Sequence, residues 1–293
     1  MRCLVTRSIS LFILIIIVIV VVVMSLGCVI FRNIVKPLPK TISKPVSPYI
    51  GSVRNVELIV IVDNYPDPNG RLVNAWGLSI LVRTPNYTIL FDTGPNPDAL
   101  EYNLRVLGID PRSIDCVVIS HEHGDHTGGL EYIASIKPGL RVYVPSGMNS
   151  YTKSWIRSLG FTVIETSNTT IIHDGVAIVG QLYGPPFEQA LAVNVRGYGL
   201  VIIVGCSHPG VDRIVEKAFR DLGIKPYLVI GGFHLAGASI EKLEHIVRNL
   251  LNLGIEYIAP IHCSGTDIRE LLNHKYREHY IECHVGSVIR IGK

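Results

Sequence analysis

The chain carries two kinds of apolar spacing, one of strand type and one of helix type, and they take turns. Residues 56–62 form a run rich in β-branched side chains, and residues 63–70 after it are turn-rich. Residues 77–82 and 87–91 predict a hairpin around Thr84-Pro85-Asn86. Leu100, Leu104 and Leu107 share one helical face, which Gly108 ends. A short apolar run, Cys116-Val117-Val118-Ile119, predicts a buried strand. Strands at 141–144 and 161–165 flank a short helix at 150–159, and His173 beside Asp174-Gly175 reads as a turn residue. Strands at 176–182, 190–195 and 200–204 follow, the last two joined by Gly197-Tyr198-Gly199.

Helical spacing then returns. Val211, Ile214, Val215, Ala218, Phe219 and Leu222 predict one buried helix face, stopped by Gly223. A strand at 227–230 leads to a second helix that buries Ile240, Leu243, Ile246, Val247 and Leu250 and leaves His245 on its polar face. A strand at 257–261 closes the series. Two rounds of strands followed by helices fit an α/β domain built as a four-layer αββα sandwich.

The start of the chain breaks both patterns. Residues 9–31 are almost wholly apolar and uncharged, long enough to cross a bilayer as a helix at about 1.5 Å per residue. A cleaved signal peptide has a shorter apolar core, of about 7 to 15 residues. The expectation is an N-terminal membrane anchor over residues 1–31 and a single-pass membrane protein. The lipoprotein-like Ser25-Leu26-Gly27-Cys28 lacks the large aliphatic residue three places before the cysteine. Basic residues stand on both sides of the span, with a slight lean towards a cytoplasmic catalytic domain. Residues 32–52, punctuated by Pro37, Pro39, Pro45 and Pro48, read as an extended tether, and residues 53–293 as one globular domain.

Charge adds little. Lys and Arg total 27 against 24 Asp and Glu, a formal net charge of +3 without a basic block, so a nucleic-acid partner is not expected. The six cysteines include no Cys-x-x-Cys pair, which leaves neither a disulfide framework nor a zinc ribbon.

The chemistry is concentrated in Ser120-His121-Glu122-His123-Gly124-Asp125-His126-Thr127-Gly128-Gly129, directly after the 116–119 strand. Alternation along an extended segment puts His121 and His123 on one side, with Glu122 opposite, so the two imidazoles can grip one ion. A turn at Gly124 then aims Asp125 and His126 at a neighbouring position. Imidazole with carboxylate suits zinc, and also manganese or iron. Three further histidines stand at strand ends: His208 in Gly205-Cys206-Ser207-His208, His234 in Gly231-Gly232-Phe233-His234, and His262 in Pro260-Ile261-His262-Cys263.

The His-x-His-x-Asp-His pattern, with Phe91-Asp92-Thr93-Gly94 upstream, resembles the metallo-β-lactamase superfamily. The three histidine motifs at strand ends are similar to its dihydropteroate-synthase-like branch, in the family's order over about residues 53 to 293. The resemblance implies that His121, His123 and a distal histidine, His208, hold a first zinc ion. It implies that Asp125, His126 and His262 hold a second. Asp92 is then a buried carboxylate that fixes a metal-binding histidine in its tautomer. Where the superfamily has an aspartate bridging both ions, this chain has Cys206, which is open to two readings: thiolate ligand or small core residue. His234 is another candidate for the gap, and one tight ion with one weak ion is the alternative to two.

The activity implied is metal-dependent hydrolysis of a small-molecule ester, lactone or phosphoester by a metal-activated water, with Asp125, His126 and Asp92 in the catalytic machinery. One alternative implied by the branch is a transferase that displaces diphosphate in methanopterin-type pterin biosynthesis. The other is a non-catalytic metal-binding sensor. A redox di-iron role fits less well, because the oxygen-reducing branch has a glutamate where His123 stands.

Overall fold

The computed structural model describes residues 49–293, so the expected membrane anchor and most of the tether lie outside the described residues. Among the described residues no helix is long and apolar enough to cross a membrane. The described residues belong to one compact unit, which holds the site.

Two sheets form the middle of this unit. The first contains β1 (Asn55–Val62), β2 (Ser79–Arg83), β3 (Thr88–Phe91), β4 (Cys116–Val118), β5 (Arg141–Pro145), β6 (Thr162–Thr166) and, from the end of the chain, β13 (Val288–Gly292). Its order is β13-β1-β2-β3-β4-β5-β6. The second contains β7 (Thr170–His173), β8 (Val176–Tyr183), β9 (Phe187–Val195), β10 (Gly199–Val204), β11 (Pro226–Gly232) and β12 (Tyr257–Ile261), in the order β12-β11-β10-β9-β8-β7. Strands β3 to β6 are parallel, as are β10 to β12, so their C-terminal ends gather at one edge of each sheet. Such edges are where ligand-binding loops of α/β layers sit.

The strands bury both faces because each sheet is packed on both sides. Leu58, Val60, Ile80, Ile89 and Phe91 of the first sheet meet Ile178, Leu191, Val193, Ile203 and Ile230 of the second in the central core. On the outer face of the first sheet lie α1 (Pro97–Val106), α3 (Leu130–Ile136) and α4 (Ser150–Ser158), through Leu100, Leu104, Ile133 and Ile156. On the outer face of the second lie α5 (Val211–Leu222), α6 (Ile240–Asn252) and α7 (Thr266–Lys275), through Ile214, Val215, Leu243, Val247 and Leu272. The four layers expected from the apolar spacing are therefore present.

Three local expectations need correction. His173 ends β7 instead of making a turn, and its ring stacks on Tyr87 with centroids 4.5 Å apart. Phe219 and Ile240, placed on buried helix faces, are 42% and 51% exposed. Each lies at the rim of its apolar stripe, where the helix surface curves away from the sheet. Finally, Gly124 does not need a glycine backbone: it opens the four-residue helix α2 (Gly124–Thr127), with His123 as N-cap.

Candidate metal centre

Four strands of the two sheets end in a turn that the backbone adopts reluctantly. Asp92, Ser207, His234 and His262 have φ of 54°, 60°, 51° and 53°, and among the described residues they are the non-glycine residues with positive φ. They follow β3, β10, β11 and β12. A left-handed conformation costs a non-glycine residue about 1–3 kcal/mol and persists where the surroundings over-determine it. All four positions surround one cluster of side chains.

Asp92 organises that cluster. Its Oδ1 accepts the Ser120 backbone N–H at 2.7 Å, and its Oδ2 accepts both the Ser120 hydroxyl and His126 Nδ1 at 2.7 Å. Because the Ser120 hydroxyl proton goes to Asp92, its lone pair is free to accept from His121 Nδ1, 2.8 Å away. One buried carboxylate thus fixes two imidazoles, His126 directly and His121 through Ser120, and leaves the Nε2 of each facing inwards. A carboxylate behind the histidine is the usual way a metal-ligating tautomer is set.

Two donor sets result. His121, His123 and His208 form one, and Asp125, His126, Cys206 and His262 the other; within each set the candidate ligand atoms lie within 4.8 Å of one another. His121 Nε2 and His123 Nδ1 converge to 3.0 Å. Burial, and then the neighbouring imidazoles, push His121 well below its usual pKa and keep its lone pair available. His208 is lowered to about 4, first by burial and then by His234 and His123. In the second set His126 Nε2 is 3.2 Å from Cys206 Sγ and 3.8 Å from Asp125 Oδ2. Burial works to raise Asp125, but His262 and His126 outweigh it and hold the carboxylate at about 2. His262 is anchored from behind, its N–H donating to Asp63 Oδ1 at 2.9 Å and its Nδ1 lying 3.2 Å from Asn64 Oδ1.

The donors fit a cation. His208 Nε2 is buried with no hydrogen-bond partner among the described residues, and His262 Nε2 is buried facing Asp125 Oδ2 of its own donor set at 3.3 Å. An unpaired buried polar atom is costly, and these two point into the two donor sets. Imidazole, carboxylate and thiolate together suit zinc, with iron or manganese acceptable where the carboxylate and imidazoles dominate.

Glycines let the loops close around the cluster. A Cβ at Gly128 would sit 2.0 Å from Pro95 O, and one at Gly205 would sit 2.2 Å from Ser120 Oγ. The carbonyl of His126 accepts from the Thr93 N–H at 2.8 Å, and that of Asp125 from the Leu78 N–H at 3.1 Å. The metal loop is thereby tied to β2 and to the loop after β3.

Several partners have no sequence signature. Glu188 is fully buried and accepts the Ser207 and His208 N–H groups, both at 2.8 Å, holding the turn that presents His208; burial raises its pKa to about 7. Gln189 bridges the sheets through Ile119 O and Tyr143 O at 2.9 and 3.2 Å, and accepts from Thr166 Oγ1. A polar pair beside an apolar strand at 190–195 was the only available signal. His234 joins neither donor set; it lies with Cys206 and Cys263. Glu122 lies outside both sets and accepts the Asn149 N–H at 2.6 Å. The mouth of the site is flanked by half-exposed Trp76, 5.1 Å from the His262 ring, and by a cleft of about 410 Å³ lined by His123, Tyr183 and Phe187.

The model of the metallo-β-lactamase superfamily matches residues 77–262, well over half of the chain. The chain belongs to the metallo-β-lactamase superfamily. Among relatives, a 7,8-dihydropterin-6-methyl-4-(β-D-ribofuranosyl)-aminobenzene-5'-phosphate synthase of Methanocaldococcus jannaschii is 27% identical over 290 residues, covering 82% of this chain and 98% of the synthase. An uncharacterised protein of the same organism is 27% identical over 249 residues, 73% of this chain and 93% of that protein. The solved structure of Tm1679, described as a metal-dependent hydrolase of the β-lactamase superfamily, superposes with a TM-score of 0.68 at 26% identity, covering 81% of this chain and all of that one. Members of the superfamily fold around divalent-metal sites, and both donor sets of this chain lie at the C-terminal strand edge described above.

Proposed function

We propose that this metallo-β-lactamase-fold protein is a binuclear metal-dependent hydrolase acting on a small-molecule ester, lactone or phosphoester. The observation that carries the reading is the pair of donor sets, each with a buried imidazole nitrogen turned into it: His208 Nε2, which has no partner among the described residues, and His262 Nε2, which faces only Asp125 of the same set. His121, His123 and His208 would hold one zinc ion, and Asp125, His126, Cys206 and His262 the other. When bound, such ions lower the pKa of a water and polarise the substrate oxygen. The chain's own contribution is orientation: Asp92 turns His126 Nε2 and, through Ser120, His121 Nε2 inwards, while Asn64 does so for His262. Asp125, held ionised, supplies negative charge on the second set.

The test is turnover by the full chain in detergent, supplied with zinc or manganese, of a chromogenic phosphodiester, an aryl ester and a lactone. Turnover of one of these, abolished in a His121→Ala/His123→Ala variant, supports the reading; no turnover of any overturns it.

A second reading, displacement of diphosphate from a dihydropterin-methyl diphosphate by an aminobenzene acceptor, is favoured by the match to nearly the whole length of the synthase. Trp76, Tyr183 and Phe187 at the mouth also suit a planar ring system. Release of diphosphate that depends on the acceptor would separate it from hydrolysis. Attachment to a membrane through residues 9–31 belongs to either reading.

A further inference from the structure

Cys206 faces two ways. On one side its Sγ approaches His126 Nε2 at 3.2 Å, as a member of the second donor set. On the other, Cys206, His234 and Cys263 form a separate group whose candidate ligand atoms lie within 4.8 Å of one another. Neither His234 nor Cys263 belongs to the two sets assigned above.

Three features of the backbone build this group. His234 is held at φ 51°, one of the four strained non-glycine turns, and its ring is directed towards His208, with centroids 4.5 Å apart. Cys263 is buried immediately after His262, with its thiol 3.7 Å from the Cys206 carbonyl oxygen. Gly232 makes the room: a Cβ there would lie 2.7 Å from Cys263 Sγ and 2.5 Å from Gly205 O. The glycine before Phe233-His234 and the strain at His234 are thus both spent on bringing one imidazole to two buried sulfurs. Buried thiols in an apolar core need no histidine and no strained turn.

We propose that Cys206, His234 and Cys263 form a third cation pocket that shares Cys206 with the second donor set and takes a soft, thiophilic divalent cation. Two thiolates and one imidazole are ligands of zinc structural sites and of cadmium, unlike the oxygen-containing second set. Cys206 would then be shared between two cations. Binding breaks the S–H bonds that Cys206 and Cys263 retain and passes those protons to the buffer, so uptake of the cation is coupled to proton release.

The probe is Cd2+ added to the metal-free full chain in detergent, read by equilibrium dialysis and by the ultraviolet sulfur-to-cadmium charge-transfer band. The expected result is saturation at about three ions per chain with a two-thiolate band. Cys263→Ser should bind about two ions and keep about a third of the band, because one of the three sulfur–cadmium contacts remains, that of Cys206 in the second set. His234→Ala should keep both thiols and weaken the third ion by about tenfold or more, which holds the test open if the serine variant does not fold. Saturation of the unmodified chain at about two ions, with a band that Cys263→Ser leaves intact, would overturn the third pocket while leaving the first two sets standing. Failure to bind Cd2+ at all would overturn the third pocket together with the metal reading of the site.

Discussion

At the scale of single residues Asp92 orients the centre without belonging to either donor set. Its two oxygens receive three hydrogen bonds, and through them it sets the tautomers of His121 and His126, one in each donor set. Asp92→Asn would put an amide N–H2 against one of these donors and turn a ring. The expected outcome is a folded protein whose zinc affinity, measured by chelator competition, falls about 10- to 100-fold. Unchanged affinity would mean that the carboxylate only caps its turn. The ligand types and the spacing of His121, His123, Asp125 and His126 were legible in the sequence because alternation and a short turn convert directly into geometry. Glu188 and Asp63 were not legible, since they act by accepting backbone N–H groups of Ser207, His208 and His262, and such contacts leave no pattern in side-chain order.

At the scale of elements, strand ends are where sequence becomes site. Four strands finish in left-handed or glycine turns, and the packing there is too close for a side chain at some positions. Gly231, at φ 140°, would place a Cβ 2.0 Å from Val204 O, whereas Gly197, at φ 82°, has open space around it. Gly231→Ala should therefore lower stability by about 2 kcal/mol or more and Gly197→Ala by about 1, read as urea midpoints. Equal effects would contradict the packing described for β11.

Helix α5 offers a pH test away from the metals. Burial works to raise Asp221, but hydrogen bonds from Lys217 at 2.6 Å and Thr169 at 2.6 Å prevail and lower it from 3.8. A depressed carboxyl contributes stability that is present above the unfolded value and is lost as pH falls through the folded one. Asp221→Asn should thus be less stable than the parent at neutral pH, and the difference should shrink as pH falls below about 3.8. A difference that stays constant on acidification would remove the charge from the explanation. Helix positions were legible from their stripes, but the rim residues Phe219 and Ile240 were not, because periodicity gives a direction and says nothing about how far a sheet extends beneath it.

At the scale of the whole molecule the layer order followed from the alternation of strand and helix patterns, while the pairing of strands did not. β13 joins β1 in antiparallel register, Asn55 opposite Gly292, and no local signal connects the two ends of the domain. Burial of Ile50 and the Val53 N–H to Asn194 O bond place the beginning of the described chain in the same unit. Removing residues 1–46 should leave a folded domain that stays in the supernatant, while the full chain sediments with membranes; equal sedimentation of both would count against an anchor over residues 9–31.

The metal content of the full chain, purified without chelator and compared with its His121→Ala/His123→Ala variant, is the most direct test of the binuclear centre. At least about two ions per chain, falling by about one in the variant, is the predicted result. A chain that carries no metal, or a variant that keeps all of it, would contradict the assignment of His121, His123 and His208 as one ligand set.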